Sequence, residues 1–161
     1  RYPPLGSLRT SDAGQAQERW YFFFHQHPDL VEALVCKDVR AYYQHFLDHW
    51  SFPSFSFEEA DIAEYVRAYS RPGSIRGACA HYQAALNEDE AQWAADVGKR
   101  IATPTLVIWG EDDPCSPPFY TDGYDRVFTD MALRFVAQCG HFPQEEQPGE
   151  TIAAMRGFLE G

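Results

Sequence analysis

A change of hydrophobic pattern near Lys99 is the feature that most constrains how this 161-residue chain can fold. Up to that point, apolar residues recur at helical spacing. Beyond it come two short apolar runs with β-branched residues, 105–109 and 133–137, which predict buried parallel strands. A helix is predicted between them over about 119–128, and a last one over 150–160. This alternation indicates an α/β fold, in which functional loops follow the carboxyl ends of the strands.

The first hundred residues predict a series of helices separated by proline and glycine. The aromatic run from Trp20 to Phe24, in a helix predicted over 15–26, is too apolar on every side for a surface helix. Asp38 is predicted to be the N-cap of a later helix, and Ser56 with Glu59 a capping box for another. The other expectations are an entry segment over 1–14, a short helix with Leu30, Leu34 and Val35 as its apolar stripe, a helix over 74–86 and an acidic loop over 87–90.

Two strands are too few for the sheet that these runs predict. Parallel strands are buried on both faces, so each needs neighbouring strands and covering helices. The chain also begins with Arg1 rather than Met, and we expect the true start of the protein to lie upstream. A length of 161 residues suggests one complete domain, but the missing strands indicate a large piece of a longer one.

Charge and cysteine pattern exclude several classes of function. The chain has 24 acidic and 13 basic residues, a net charge of −11, which argues against a nucleic-acid backbone or an anionic membrane surface as the main partner. Its four cysteines are widely spaced, so neither a disulfide scaffold nor a zinc knuckle is predicted. With no apolar run of about 18 residues and no signal-peptide pattern, the sequence predicts a cytoplasmic protein without a membrane partner.

An acidic residue and a histidine follow the two predicted strands. Asp113 comes shortly after the first strand and His141 shortly after the second. An acid followed by a histidine, each just beyond a buried strand, is the order of the catalytic triad in α/β-hydrolases. The chemistry needs that placement, because a histidine base must be held in one tautomer by a carboxylate behind it. The alternative is that Asp113 caps the next helix and His141 is an incidental loop histidine.

A nucleophile to complete such a triad is not found in the chain. It should lie upstream on a strand-to-helix elbow with the pattern Gly-x-nucleophile-x-Gly. Upstream, only Gly73 and Gly77 have that spacing, and Ile75 stands between them. A His-Gly dipeptide of the oxyanion-loop type is missing as well. We therefore expect these parts to lie in an N-terminal half of the core, in the same or another chain, and residues 1–161 alone to be inactive.

Six motifs follow one another along the chain: Trp20-Tyr21, Phe24-His25-Gln26, His45-Phe46-Leu47-Asp48-His49-Trp50-Ser51, His81-Tyr82-Gln83-Ala84, Trp109-Gly110-Glu111-Asp112-Asp113 and Cys139-Gly140-His141-Phe142. In this order they resemble the bacterial α/β-hydrolase-fold epoxide hydrolases, particularly the epichlorohydrin-degrading type. The resemblance extends over about 19–159 and implies an α/β-hydrolase fold. It divides the chain into a linker and helical cap over 1–98 and the C-terminal part of the core, with its last two strands and helices, over 99–161.

The resemblance implies roles for four residues. Tyr21 and Tyr82 match the two cap tyrosines that hydrogen-bond the epoxide oxygen and donate a proton as the ring opens. Asp113 matches the triad acid and His141 the base, while the family's nucleophile is an Asp that would fall before Arg1. The implied reaction converts a small apolar epoxide and water to a vicinal diol through a covalent alkyl-enzyme ester, a detoxification that needs no cofactor. The predicted substrate pocket contains Phe22, Trp50 and Phe142.

The chemistry of ring opening supports the tyrosine roles independently. The leaving group is an alkoxide, so an enzyme near neutral pH must offer the developing oxyanion hydrogen bonds from donors that are not already ionised. A phenol, with a pKa of about 10, meets that need, and two phenols share the charge. The alternative is that Tyr21 and Tyr82 are two core tyrosines among nine.

Three other functions remain open. Haloacetate and haloalkane dehalogenases have the same fold, and residues 72–85 also resemble the corresponding segment of haloacetate dehalogenases. These enzymes stabilise the leaving halide with a His-Trp pair, however, where this chain has Tyr21-Phe22. A non-catalytic helical interaction module would not need Asp113 and His141 on strand-end loops. A helical metal site is a weaker hypothesis, and no metal is predicted; homo-oligomerisation is left open. The histidines considered for that metal site are His25, His27, His45 and His49.

Overall fold

The computed structural model of the chain describes residues 19–161. The predicted entry segment over 1–14 and the first part of the helix predicted over 15–26 lie outside the described residues. Contacts divide the chain into two compact units. We call them the helical unit, residues 19–45 and Glu58–Val97, and the strand unit, Phe46–Phe57 and Gly98–Gly161. The predicted division into cap and core at residue 98 stays a prediction.

The elements follow one another from helices to strands. The first five helices are α1 (Trp20–Phe24), α2 (Pro28–Val35), α3 (Val39–Trp50), α4 (Glu59–Tyr69) and α5 (Ser74–Ala84). A π-helical turn (Ala85–Asp89) and α6 (Glu90–Ala95) complete the helical unit. The strand unit continues with β1 (Thr105–Gly110), two 3-10 turns (Pro118–Thr121 and Tyr124–Arg126), β2 (Met131–Val136), α7 (Pro143–Glu146) and α8 (Pro148–Glu160).

The core of the helical unit lies where α2 packs against α5. Val31 and Val35 from α2 and Ile75 and Cys79 from α5 are at most 4% exposed. Each pair is four residues apart and therefore shares one helix face. Of the predicted stripe, Val35 is buried as expected, whereas Leu30 and Leu34 are about half exposed, so that part of the prediction is wrong.

Helix ends confirm one predicted cap and correct another. The Asp38 carboxylate accepts a hydrogen bond from the Ala41 N–H at 2.8 Å, as expected of an N-cap. The capping box is wrong, because α4 begins at Glu59 itself and Ser56 lies too early to cap it. The acidic loop over 87–90 is also wrong. No Gly or Pro interrupts residues 85–95, and the backbone continues as the π-helical turn and α6.

The strand unit is built on the parallel pair β1 and β2. Their register runs from Thr105 opposite Met131 to Gly110 opposite Val136, which confirms the predicted parallel pairing. The prediction that both strands are buried is wrong for Arg134 and Phe135 of β2, which are exposed. The helix predicted over 119–128 is wrong. Two 3-10 turns take its place, because Gly123 between them has a left-handed backbone conformation with φ of 88°. The loop predicted over 138–149 contains the short helix α7. None of the helices described between residues 19 and 161 is long and apolar enough to cross a membrane.

Candidate active site

The structure brings Asp113 and His141 together at the carboxyl ends of the two strands. β1 ends at Gly110 and β2 at Val136, and because the strands are parallel, the loops that follow them leave from the same edge. The His141 Nδ1 lies 2.8 Å from the Asp113 Oδ2. The Asp113 side chain is 5% exposed and that of His141 32%. A buried carboxylate thus lies behind a histidine that remains accessible.

The Asp113 carboxylate is held by its own loop. Its Oδ1 accepts hydrogen bonds from the backbone N–H groups of Cys115, at 2.9 Å, and Ser116, at 2.8 Å. The Trp109 indole in turn donates to the Ser116 carbonyl at 2.7 Å. If Asp113 only capped a turn, that role would explain the hydrogen bonds to its Oδ1. It would not explain the hydrogen bond between its Oδ2 and His141. Since a carboxylate only accepts, His141 donates from Nδ1 and keeps Nε2 as an acceptor.

Two of the three predicted pocket residues lie beside His141. The ring centroid of Trp50 is 5.0 Å from that of His141, and the ring of Phe142 is 5.3 Å from it, both in edge arrangements. The His141 N–H donates to the Trp50 carbonyl at 2.8 Å. These contacts place two aromatic rings beside the imidazole, and they lie entirely within the strand unit.

Two glycines permit the close backbone approach on which this loop depends. A Cβ on Gly110 would lie 2.5 Å from the Cys139 oxygen, and a Cβ on Gly140 would lie 2.7 Å from the Phe52 nitrogen. Both distances are too short for non-bonded heavy atoms. Both glycines stand in the predicted loop motifs, but the sequence does not show what approaches them, because the approaching backbone comes from distant parts of the chain.

The substitution Gly140→Ala is therefore expected to destabilise the protein. Backbone rather than a flexible side chain surrounds the added methyl, so we expect the free energy of unfolding to fall by about 3 kcal/mol. Urea unfolding of the full-length protein measures this. Gly157→Ala is the matched control, because Gly157 lies within α8 and a Cβ there meets nothing within 4 Å. Equal midpoints for the two variants would contradict the expectation.

The helical unit brings the other predicted residues together. Tyr21 on α1 and Tyr82 on α5 have ring centroids 5.7 Å apart, in an edge arrangement at 83°. Phe22 contacts both rings, at 4.9 Å from Tyr21 and 5.0 Å from Tyr82. The Gln26 amide donates to the carbonyls of Phe22 and Tyr82, each at 3.1 Å. The two tyrosines thus form a pair whose spacing is fixed by contacts between α1 and α5.

His25 is a buried member of the same cluster, and the sequence did not predict its place there. Its Nδ1 donates to the Tyr21 carbonyl at 2.5 Å, its Nε2 accepts from the Tyr42 hydroxyl at 3.0 Å, and its ring stacks on Tyr82 at 4.3 Å. Burial lowers the pKa of His25 below its usual 6.5. The sequence signal for this contact is the spacing of four residues between Tyr21 and His25, which is that of neighbours on one helix face. With both nitrogens engaged, His25 does not offer a metal ligand.

Metal-binding side chains do not cluster in the part of the chain that the structure describes. Between residues 19 and 161, no group of three or more His, Cys, Asp or Glu side chains could hold an ion.

Comparison with known proteins assigns the fold family. Residues 20–148 match the model of the alpha/beta hydrolase fold. The chain belongs to the α/β-hydrolase fold family. The predicted fold class is thereby confirmed, with the parallel strands and the strand-end loops in the order that this fold requires.

The predicted resemblance to epoxide hydrolases is also confirmed. This α/β-hydrolase chain is 37% identical over 145 residues to a soluble epoxide hydrolase of Corynebacterium sp. (strain C12), a match that covers 86% of the chain and 48% of that protein. A solved structure of the epoxide hydrolase CorEH without ligand is 30% identical, with a TM-score of 0.79, and the match covers 94% of the chain and 53% of that structure.

The structure of Cfl2 from Burkholderia cenocepacia is similar as well, at 28% identity with a TM-score of 0.77, over 92% of the chain and 50% of that structure. The chain spans about half the length of the curated soluble epoxide hydrolase and of these two structures.

Proposed function

We propose that the protein is an epoxide hydrolase that converts a small apolar epoxide to a vicinal diol through a covalent ester. The observation that carries the proposal is the Tyr21–Tyr82 pair, with ring centroids 5.7 Å apart in the helical unit. We assign the two phenols as the hydrogen-bond donors to the epoxide oxygen, since a phenol is not ionised near neutral pH and can donate. The hydrogen-bonded Asp113 and His141 supply the acid and base of the triad, and the similarity to epoxide hydrolases supports the same reaction.

In the first step, a carboxylate opens the epoxide ring. We assign this nucleophile to an Asp preceding Arg1. One carboxylate oxygen forms a bond to an epoxide carbon, and the bond from that carbon to the ring oxygen breaks. The hydroxyls of Tyr21 and Tyr82 donate hydrogen bonds to the departing oxygen, and one of them transfers its proton. The products of the step are an alkyl ester and a tyrosinate.

In the second step, water hydrolyses the ester. The Nε2 of His141 takes a proton from water as the water oxygen attacks the ester carbonyl carbon. The Asp113 carboxylate at Nδ1 orients the imidazole and stabilises the imidazolium. The bond between the carbonyl carbon and the alkoxy oxygen breaks, which releases the diol and restores the nucleophile. The proton on His141 then returns to the tyrosinate through solvent, so that protons balance over the cycle.

Trp50, Phe142 and Phe22 are assigned to the apolar surroundings of the reacting groups. Trp50 and Phe142 lie beside the imidazole of His141, and Phe22 contacts both tyrosine rings. Aromatic walls exclude bulk water and so strengthen the hydrogen bonds on which both steps depend.

A single-turnover experiment tests the proposal. When the full-length protein is mixed with styrene oxide or epichlorohydrin in less than molar equivalence and quenched in acid, we expect a transient mass increase equal to the epoxide. Proteolysis should place it on a peptide that precedes Arg1. Residues 1–161 expressed alone serve as the control and should give neither adduct nor diol.

Three results would count against the proposal. An adduct within residues 1–161 would contradict the assignment of the nucleophile, and diol formation without any adduct would contradict the covalent mechanism. Turnover of fluoroacetate without turnover of either epoxide would favour the dehalogenase alternative.

A further inference from the structure

We propose that Glu146 is a positioning residue that fixes the backbone around His141. Its Oε2 accepts hydrogen bonds from the N–H groups of Gly140 and Phe52, each at 2.8 Å, and its Oε1 accepts one from Phe142 at 2.9 Å. Glu146 is 7% exposed. One buried carboxylate thus binds three backbone amides. The kinetic consequences rest on the proposed function, whereas the geometric ones do not.

Two of the three amides flank His141. Gly140 and Phe142 are its two neighbours in the chain, so the backbone N–H groups before and after that of His141 are bound to the same side chain. The N–H of His141 itself donates to the Trp50 carbonyl at 2.8 Å. Three successive amides therefore have a fixed partner within the protein, and the loop is left with little freedom to move the imidazole relative to Asp113.

Through Phe52, Glu146 also connects this loop to the segment that follows α3. The Phe52 N–H shares the Oε2 of Glu146 with Gly140, and the missing Cβ of Gly140 lets the two backbones approach. Glu146 is itself held by its place in α7, where its N–H donates to the Phe142 carbonyl at 2.8 Å. The carboxylate thus joins three parts of the strand unit: the loop after β2, α7 and the segment after α3.

The partners of Glu146 indicate a role in geometry rather than in charge pairing. Within residues 19–161, its carboxylate forms no ion pair with a basic side chain, and its hydrogen bonds all come from the backbone. Charge-assisted hydrogen bonds of this kind are short and about twice as strong as neutral ones. The carboxylate does not touch the imidazole, so its effect on the reaction is transmitted only through the loop.

In the proposed mechanism, a displaced His141 slows one of the two steps and leaves the other unchanged. His141 acts as a base on water during ester hydrolysis and takes no part in ring opening. A misplacement of a catalytic group by about 1 Å lowers a rate about 100-fold. Loss of Glu146 is therefore expected to slow ester hydrolysis and to leave ester formation almost unchanged.

The kinetic test compares two variants of Glu146 with a matched control in the full-length protein. Glu146→Gln keeps an oxygen acceptor but turns an amide N–H₂ toward one backbone donor, and Glu146→Ala removes every bond. With styrene oxide, we expect ester hydrolysis to slow about tenfold in the first and about 100-fold in the second, so that the ester accumulates. Ester formation should change less than about twofold in both. Glu150→Gln, an exposed position in α8, should match the wild type.

Two kinetic outcomes would overturn the proposal. If ester hydrolysis in Glu146→Gln proceeds at the wild-type rate, the carboxylate does not position His141. If both steps slow equally, Glu146 supports the fold in general and not His141 in particular.

A nuclear magnetic resonance measurement separates this proposal from the proposed function. The low-field proton resonance of the His141 Nδ1–H, assigned by its loss in Asp113→Asn, reports the hydrogen bond to Asp113 without any substrate. We expect it to move upfield or exchange with water in Glu146→Ala and to be unchanged in Glu150→Gln. If the wild-type protein forms no diol, the proposed function fails while this resonance still tests the positioning. An unchanged resonance in Glu146→Ala would overturn the positioning role.

Discussion

Replacing His141 with alanine is expected to stop the full-length protein at the covalent ester. The imidazole is the only base assigned to the second step, and loss of one member of such a triad lowers turnover about 10⁴-fold. Ring opening does not use His141, so one equivalent of epoxide should still be consumed. Intact mass spectrometry after mixing with styrene oxide should show a stable adduct on nearly every molecule.

The exposed histidine His27 provides the control for this experiment. The variant His27→Ala removes an imidazole from the helical unit, outside the Asp113–His141 pair, and should turn over at the wild-type rate without accumulating ester. Two results would contradict the role of His141. One is continued turnover in His141→Ala, and the other is a fully inactive variant that also fails to form the adduct while remaining folded.

The location of the Asp113–His141 pair could be predicted from the sequence because topology determines it. Two apolar runs predicted parallel strands, and the ends of parallel strands share one edge of a sheet. The loops that follow the two strands therefore begin side by side, which brings Asp113 within reach of His141. The hydrogen bond of 2.8 Å confirms the inference, although 28 residues separate the two side chains in the chain.

The buried face of α2 could not be predicted because the local pattern is ambiguous. Leu30 and Leu34 are four residues apart, and so are Val31 and Val35, so helical periodicity accommodates either pair. Only the partner helix selects between them, since Val31 and Val35 meet Ile75 on α5. A tertiary contact decided what local spacing left open.

The tyrosine pair could not be predicted from residue patterns, for a related reason. Tyr21 and Tyr82 are two of nine tyrosines, and neither follows a predicted strand or carries a spacing signal. The resemblance to epoxide hydrolases singled them out, and the packing of α1 against α5 brings their rings to 5.7 Å. Glu146 had no signal of its own, because its partners are backbone amides that any sequence would supply.

Replacing both tyrosines with phenylalanine is expected to block the reaction before the ester forms. Loss of one oxyanion donor lowers a rate about 10²- to 10³-fold, so loss of both should lower ring opening by more than about 10⁴-fold. Phenylalanine keeps the ring that packs against Phe22 and stacks on His25. The double variant Tyr21→Phe with Tyr82→Phe should therefore remain folded, as circular dichroism can verify.

The decisive comparison is with His141→Ala. The double tyrosine variant is blocked before the ester forms, whereas His141→Ala is blocked after it forms. After mixing with styrene oxide, the double tyrosine variant should show almost no adduct, whereas His141→Ala should be nearly saturated with it. Tyr69→Phe is the matched control, since Tyr69 lies in the helical unit stacked on Tyr43 at 3.9 Å and has no assigned role. If the double variant forms adduct as fast as Tyr69→Phe, another group stabilises the departing oxygen, and the observation that carries the proposed function loses its meaning.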